Sequence, residues 1–272
     1  NANGSSHISL DTCILQWNWG NGCLWNSSGT NTSYSDVTVE DCIARYNGAC
    51  GISFTLSHTL TSDHIVRRNR CYENGRYQFA NPVWDSNHLY TSGIKFVGSA
   101  GCRRNIVEQN LVYNNGPATG AYQTGQGNGI WFDYANASSG NENHIRYNLM
   151  YGNSGIPIYN EVSSYNWWYY NLCYNNARDV DSGVWSTANI RCDARAGSDS
   201  SYNKFYNNTC YGGLYGIICL TTDQTAGTEL NGNEFRNNIV VGVTNAVLYA
   251  DTGGDNDGAN GTGNVYDANC LG

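Results

Sequence analysis

The 272-residue chain carries 14 Lys and Arg against 22 Asp and Glu, a net charge of −8, with charged residues at only 13%. Nucleic-acid binding is unsupported, since phosphate contacts need Lys and Arg gathered on one basic face. No apolar run is long enough to span a membrane as a helix, and an apolar fraction of 40% with periodic placement argues against disorder.

Taken in chain order, one pattern recurs, with its origin at Cys13, Cys42, Asn69, Asn110, Asn148, Asn171, Asn208, Asn238 and Asn269. Three residues before the origin stand Leu10, Val39, Val66, Val107, Ile145, Trp168, Phe205, Phe235 and Tyr266. Two after it stand Leu15, Ala44, Cys71, Val112, Met150, Cys173, Cys210, Val240 and Leu271. Further Asn columns lie five before (Asn105, Asn143, Asn166, Asn203, Asn233, Asn264) and five after (Asn18, Asn47, Asn74, Asn115, Asn153, Asn176). Each unit then restarts with a pair such as Gly51-Ile52, Gly93-Ile94, Gly129-Ile130, Gly155-Ile156 or Gly183-Val184. The repeat runs from 23 residues (Asn148 to Asn171) to 41 (Asn69 to Asn110), which marks a stacked solenoid. Apolar and polar positions alternate with period two, so the elements are short strands. Asn is expected at the bends because it tolerates positive φ, with its side chains hydrogen-bonding up the ladder.

Units one and two, to about residue 63, read as a structural base. Unit three then inserts residues 75–92 and unit four residues 116–128, both just before a Gly-Ile strand, and long inserts in a compact fold are usually functional. Unit six carries an excursion at 186–201. Unit eight ends in the acidic, Gly-rich stretch 251–258, where a calcium ion could be held, although the spacing matches no defined calcium motif and a solvated turn explains it as well. The whole reads as one domain, 1–272. Its start beside the first unit and the lack of amphipathic caps suggest processing, a longer parent chain or end-to-end assembly. Eleven cysteines without metal spacing point to an oxidising compartment. Cys13 with Cys42 and Cys173 with Cys210 are the disulfide candidates, the alternative being reduced thiols used as small hydrophobes.

These columns and restarts resemble the right-handed parallel β-helix superfamily, the fold of pectate lyases, polygalacturonases and alginate lyases and of many phage and surface proteins. The resemblance covers residues 8 to 272 and implies an all-β solenoid of about nine coils. It also implies a substrate cleft along the Gly-Ile strand and its flanking loops, and a secreted, extracellular or periplasmic setting. The polygalacturonase signatures Asn-Thr-Asp, Asp-Asp, His-Gly and Arg-Ile-Lys are missing, as is the Asp-Pro-His-Glu run of the mannuronan epimerases.

Strand alternation makes the residue after each Gly-Ile point outward: Leu24, Ser53, Lys95, Trp131, Pro157, Trp185, Ile218 and Leu248. Asp133 and Tyr159 are the next outward positions. Trp131, Trp185 and Tyr159, with Trp84 and Asp85 of the first insert, are the expected glycan contacts; the competing reading is that the Trp rings merely pack under the inserts. Arg67, Arg68, Arg70, Arg76, Lys95, Arg103 and Arg104 concentrate half of the 14 basic residues and suggest an anionic polysaccharide. Arg67 is set aside because Glu40, Arg67, Glu108 and Arg146 form an alternating outward column. For β-elimination the set is Lys95 as base, Arg76 as neutraliser, and His88 or Tyr90 as proton donor. For glycoside hydrolysis two carboxyl groups are needed, and Asp85, Asp133, Glu161 and Asp181 are available. A polysaccharide lyase is the leading expectation, followed by a glycoside hydrolase and by a non-catalytic adhesin, structural or carbohydrate-binding solenoid.

Overall fold

The computed structural model describes residues 6–26, 35–56, 62–76, 91–98, 101–116, 127–177, 188–195, 198–221, 230–245, 247–250 and 262–272. Among these residues every strand lies in one of three parallel sheets, of nine, nine and eight strands. The first sheet begins with Ser6–Asp11, the second with Ile14–Gln16 and the third with Cys23–Asn26. Each strand pairs with its equivalents one coil before and after: Ile106–Glu108 lies between Ile65–Arg67 and Asn143–Arg146. The chain is therefore a parallel β-helix of nine coils, wound in the right-handed sense that parallel crossovers adopt.

The two apolar columns form the interior. Val39, Val66, Val107, Ile145, Trp168, Phe205 and Phe235 are buried from the first sheet, and Ala44, Cys71, Val112, Met150, Cys173, Cys210 and Val240 from the second. From the third sheet Phe54, Phe96 and Phe132 stack at 4.6 and 4.7 Å between centroids, close to the rung spacing of a parallel sheet.

The Asn columns lie at the three corners, and in most coils the amide reaches the Asn of the next coil. Asn110 Nδ2 donates to Asn148 Oδ1 at 3.0 Å, and Asn148 Nδ2 to Asn171 Oδ1 at 3.0 Å. The backbone does not bend where the sequence suggests. Positive φ falls on the residue before each Asn of the origin column, as at Arg68 (56°), Gln109 (57°), Tyr147 (56°) and Tyr170 (55°). That residue makes the turn, and the Asn that follows is swung inward to satisfy the backbone groups the turn exposes: Asn148 Oδ1 accepts from Asn110 N at 3.0 Å, and Asn148 Nδ2 donates to Val107 O at 3.0 Å. A left-handed turn at a bulky residue costs about 1–2 kcal/mol, which these bonds offset. Asn148→Ala would strip partners from buried groups on both neighbouring coils. We expect a loss of about 2–3 kcal/mol in urea unfolding, and an unchanged midpoint would mean that the ladder is decorative.

No disulfide joins any of the eleven cysteines. Cys173 and Cys210 are register partners, as expected, but both side chains project into the interior and are buried. Burial pushes the thiols of Cys71, Cys102 and Cys173 upward, so they behave as small neutral hydrophobes. The alternating column also holds. Arg67 pairs with Glu40 at 2.7 Å and Arg146 with Glu108 at 2.8 Å on the outer face of the first sheet. Arg67→Ala should shift stability by less than about 1 kcal/mol, readable in a thermal melt, and a larger loss would assign that column more than surface pairing.

Candidate active site on the outer face of the third sheet

Strands of the first two sheets alternate buried and partly exposed residues, as in Ile106–Glu108 and Leu149–Tyr151. The middle strands of the third sheet do not: every residue of Asn128–Asp133, Ile158–Glu161 and Ala188–Ala194 is buried, outward side chains included. That outer face is also where charge accumulates.

The outward row through the middle of these strands runs Leu24, Ser53, Lys95, Trp131, Tyr159, Arg191 and Ile218. Two residues further along each strand, a second row runs Thr55, Val97, Asp133, Glu161, Asp193 and Leu220. The expected column is thus corrected in the fifth and sixth coils and holds at Ile218 of the seventh. Tyr159 takes the place expected for Pro157 and Arg191 that expected for Trp185, while Leu248, 37% exposed, is in register with Ile217 rather than with Ile218. The sixth-coil strand is Ala188–Ala194, so the stretch expected to be an excursion beyond it contains the strand itself.

The middle row is a cation and ring sandwich. Lys95 Nζ stands 3.3 Å from the Trp131 ring centroid, Trp131 stacks on Tyr159 at 5.0 Å, and the Arg191 guanidinium carbon lies 5.1 Å from the Tyr159 centroid. With Trp131 1% and Tyr159 2% exposed and their ring faces taken by these neighbours, neither offers an open platform to a sugar. The rings serve instead to hold two cations in place, each cation drawn to the negative ring face.

The second row places three carboxyl groups on successive coils, each with a cation. Lys95 Nζ is 3.2 Å from Asp133 Oδ2, Arg195 Nη2 is 2.5 Å from Glu161 Oε1, and Arg191 Nη2 is 2.7 Å from Asp193 Oδ2. The other oxygen of each carboxyl group, Asp133 Oδ1, Glu161 Oε2 and Asp193 Oδ1, is buried without a hydrogen-bond partner. Burial, then the nearby charges of Asp193 and Asp133, raise the Glu161 carboxyl to about 8, outweighing Arg195 and Arg191. Burial likewise raises Asp193 against the pull of Arg191. Arg195 side-chain exposure is 39%, against 2% for Glu161, so Arg195 stands between that carboxyl group and solvent.

Of the residues expected from sequence, Lys95, Asp133, Trp131 and Tyr159 meet here. Lys95 is engaged by both Asp133 and Trp131. Arg76 pairs with Glu73 at 3.2 Å at the corner after Arg70–Tyr72, outside the two rows. The other basic residues of the 67–104 stretch disperse likewise: Arg68 pairs with Glu40 and Asp41, and Arg104 with Asp63, away from the third sheet. His88, Tyr90, Trp84, Asp85, Trp185, Asp181 and the acidic stretch 251–258 lie outside the described residues. Among the described residues no group of three His, Cys, Asp or Glu is placed to hold a metal ion, and no helix is long and apolar enough to cross a membrane. Arg191, Asp193 and Arg195 were not anticipated. A signal for them exists: Ile190-Arg191-Cys192 matches Ile217-Ile218-Cys219 of the next coil, which fixes the strand without a Gly-Ile pair.

No protein-family model matches the chain, and no curated protein matches its sequence. Solved structures do resemble it in fold. The A-module of the mannuronan C-5 epimerase AlgE6 of Azotobacter vinelandii aligns with a TM-score of 0.58 at 14% identity, over 96% of this chain and 57% of that one. The A-module of AlgE4 from the same organism aligns with a TM-score of 0.59 at 14% identity, over 89% of this chain and 56% of that one. The chain therefore spans little more than half the length of either structure, and what they share with it is the parallel β-helix.

Proposed function

We propose that this β-helix is a polysaccharide-active enzyme that cleaves an acidic glycan by acid and base chemistry at the Asp133–Glu161 pair. The observation that carries the reading is that these carboxyl groups are register partners in unlike surroundings: Asp133 is ion-paired with Lys95, whereas Glu161, raised to about 8, keeps its proton at neutral pH. Two carboxyl groups in surroundings as unlike as these can divide the roles of acid and base. Both were among the carboxyl groups available for glycoside hydrolysis in the sequence, and hydrolysis is the step they support best.

In that step, which requires Arg195 to move off the carboxyl group it covers, Glu161 Oε2 gives its proton to the glycosidic oxygen as the bond to the anomeric carbon breaks, and Asp133 Oδ1 stabilises or captures the carbon. Water then completes the cleavage while Glu161 recovers a proton from it. Adjacent parallel strands lie about 5 Å apart, which is the separation of retaining enzymes rather than the wider one of inverting enzymes. An acidic substrate is favoured by the charge count. With Glu161 protonated, three cations (Lys95, Arg191, Arg195) face two carboxylates (Asp133, Asp193), leaving one positive charge for a uronate. The two proteins of like fold have names that specify mannuronan as what they act on.

β-Elimination is the second reading, favoured by the three cations, one of which would have to neutralise the uronate. Incubating the protein with alginate, pectate, glycosaminoglycans and neutral glycans separates the readings. New reducing ends without ultraviolet absorbance indicate hydrolysis, and reducing ends with the absorbance of an unsaturated uronate indicate elimination. Binding without turnover would make the chain a carbohydrate-binding solenoid and overturn the enzyme reading. Activity should fall as pH rises through about 8, because Glu161 then loses the proton it must donate. A pH profile flat to pH 9 would remove Glu161 from the acid role.

A further inference from the structure

The mechanism above uses Glu161 and Asp133 but not Asp193, which is 0% exposed on the next coil. A buried carboxyl group is ordinarily hydrogen-bonded through both oxygens. Here Glu161 Oε2 and Asp193 Oδ1, on adjacent coils and pointing to the same side of the sheet, both lack a partner. Bare acceptors on adjacent coils repel, and one proton held by this pair relieves that repulsion. Each carboxyl group's other oxygen is already fixed, Glu161 Oε1 by Arg195 and Asp193 Oδ2 by Arg191. Arg191 is itself seated on the Tyr159 ring, so the Asp193 side chain has little freedom to turn away. We infer that Glu161 and Asp193 share one proton, and that Asp193, clamped by Arg191, is a positioning residue that keeps this proton on the catalytic carboxyl group.

The groups facing Glu161 support this assignment. From one side come Asp133 and, behind it, Lys95; from the other come Asp193, Arg191 and Arg195; its own strand adds Tyr159. The two acids raise the Glu161 carboxyl group and the two arginines lower it, with Asp193 the larger of the acidic influences. Removing the Asp193 charge leaves Arg191 without its counter-ion beside Glu161, so both changes push the proton off Glu161.

The inference deepens the functional reading and rests on it for the catalytic role, whereas its test does not require turnover. The chain has seven Glu, so carboxyl-carbon NMR of Glu-labelled full-length protein gives seven titrations, and Glu161→Gln identifies the one from Glu161. We expect that signal to titrate near 8 in the native protein and about one to two pH units lower in Asp193→Asn, with the native value kept in Asp193→Glu. An unchanged Glu161 titration in Asp193→Asn overturns the proposal. Should that variant fail to fold, the native protein alone decides: on Asp labelling, the Asp193 signal must move in the same pH step as Glu161, and an independent titration in the ordinary carboxylate range overturns the sharing. Normal titration behaviour as proposed, without turnover on any glycan, would sink the functional reading and leave the shared proton standing. Turnover with no coupling between the two signals would do the reverse.

Discussion

Glu161→Gln is expected to lower turnover by about 10²–10⁴-fold while making the protein more stable above pH 8. The rate loss follows from removing the only proton donor of the pair. Asp133→Asn should show a comparable loss, because it removes the carboxylate opposite. The stability gain follows from linkage. The folded-state carboxyl of Glu161 is raised from 4.5 to about 8, so the native state holds a proton that the unfolded chain releases between those values. The stability this proton provides is present in full below about 4.5, declines as pH rises, and is gone once pH has passed about 8. Gln imitates the protonated acid at every pH. The two proteins should therefore unfold alike at pH 4 and diverge by a few kcal/mol at pH 9, the variant being the more stable. Parallel stability curves from pH 4 to pH 9 would show that Glu161 titrates alike in the folded and unfolded protein, and with that the division of roles between the carboxyl groups falls.

The fold was legible because the parallel β-helix writes its register into the chain. One inward residue per short strand and one Asn per corner recur at spacings that locate the strands of the first two sheets. The third sheet was legible where a Gly-Ile or Gly-Cys pair starts the strand, at Cys23, Ile52, Ile94, Ile130 and Ile217. At Ile158–Glu161 and Ala188–Ala194 the Gly is displaced, and the pairs Gly155-Ile156 and Gly183-Val184 draw the register away from its true place. A slip of that kind exchanged Arg191 for Trp185, and so hid the arginine and aspartate that complete the site. The corner Asn were located correctly with the wrong reason, since their inward amides rather than their φ hold the turns. Burial of the outer face could not be read from alternation, which says that a side chain leaves the interior but not that it meets water. That difference decides what Trp131 does.

Trp131→Ala is expected to destabilise the protein by about 3–5 kcal/mol, the range for truncating a buried aromatic side chain. Were the ring an exposed sugar platform, the variant would fold as well as the native protein and show only weaker substrate binding. The ring is instead 1% exposed, with Lys95 on one side and Tyr159 on the other. Its removal opens a cavity between two coils and takes from Lys95 the aromatic face that helps to hold it beside Asp133. Trp131→Phe retains a ring for both neighbours and should recover more than half of the loss. Urea unfolding with linear extrapolation distinguishes the cases, because the slope should stay near the native value while the midpoint moves. Turnover should fall in Trp131→Ala even below its unfolding transition, since Lys95 is then free to swing away and Asp133 is left as a buried carboxylate without its counter-ion. A variant with native stability and a raised KM alone would return Trp131 to the role of sugar platform and would mean that the outer face of the third sheet opens to substrate at its middle row.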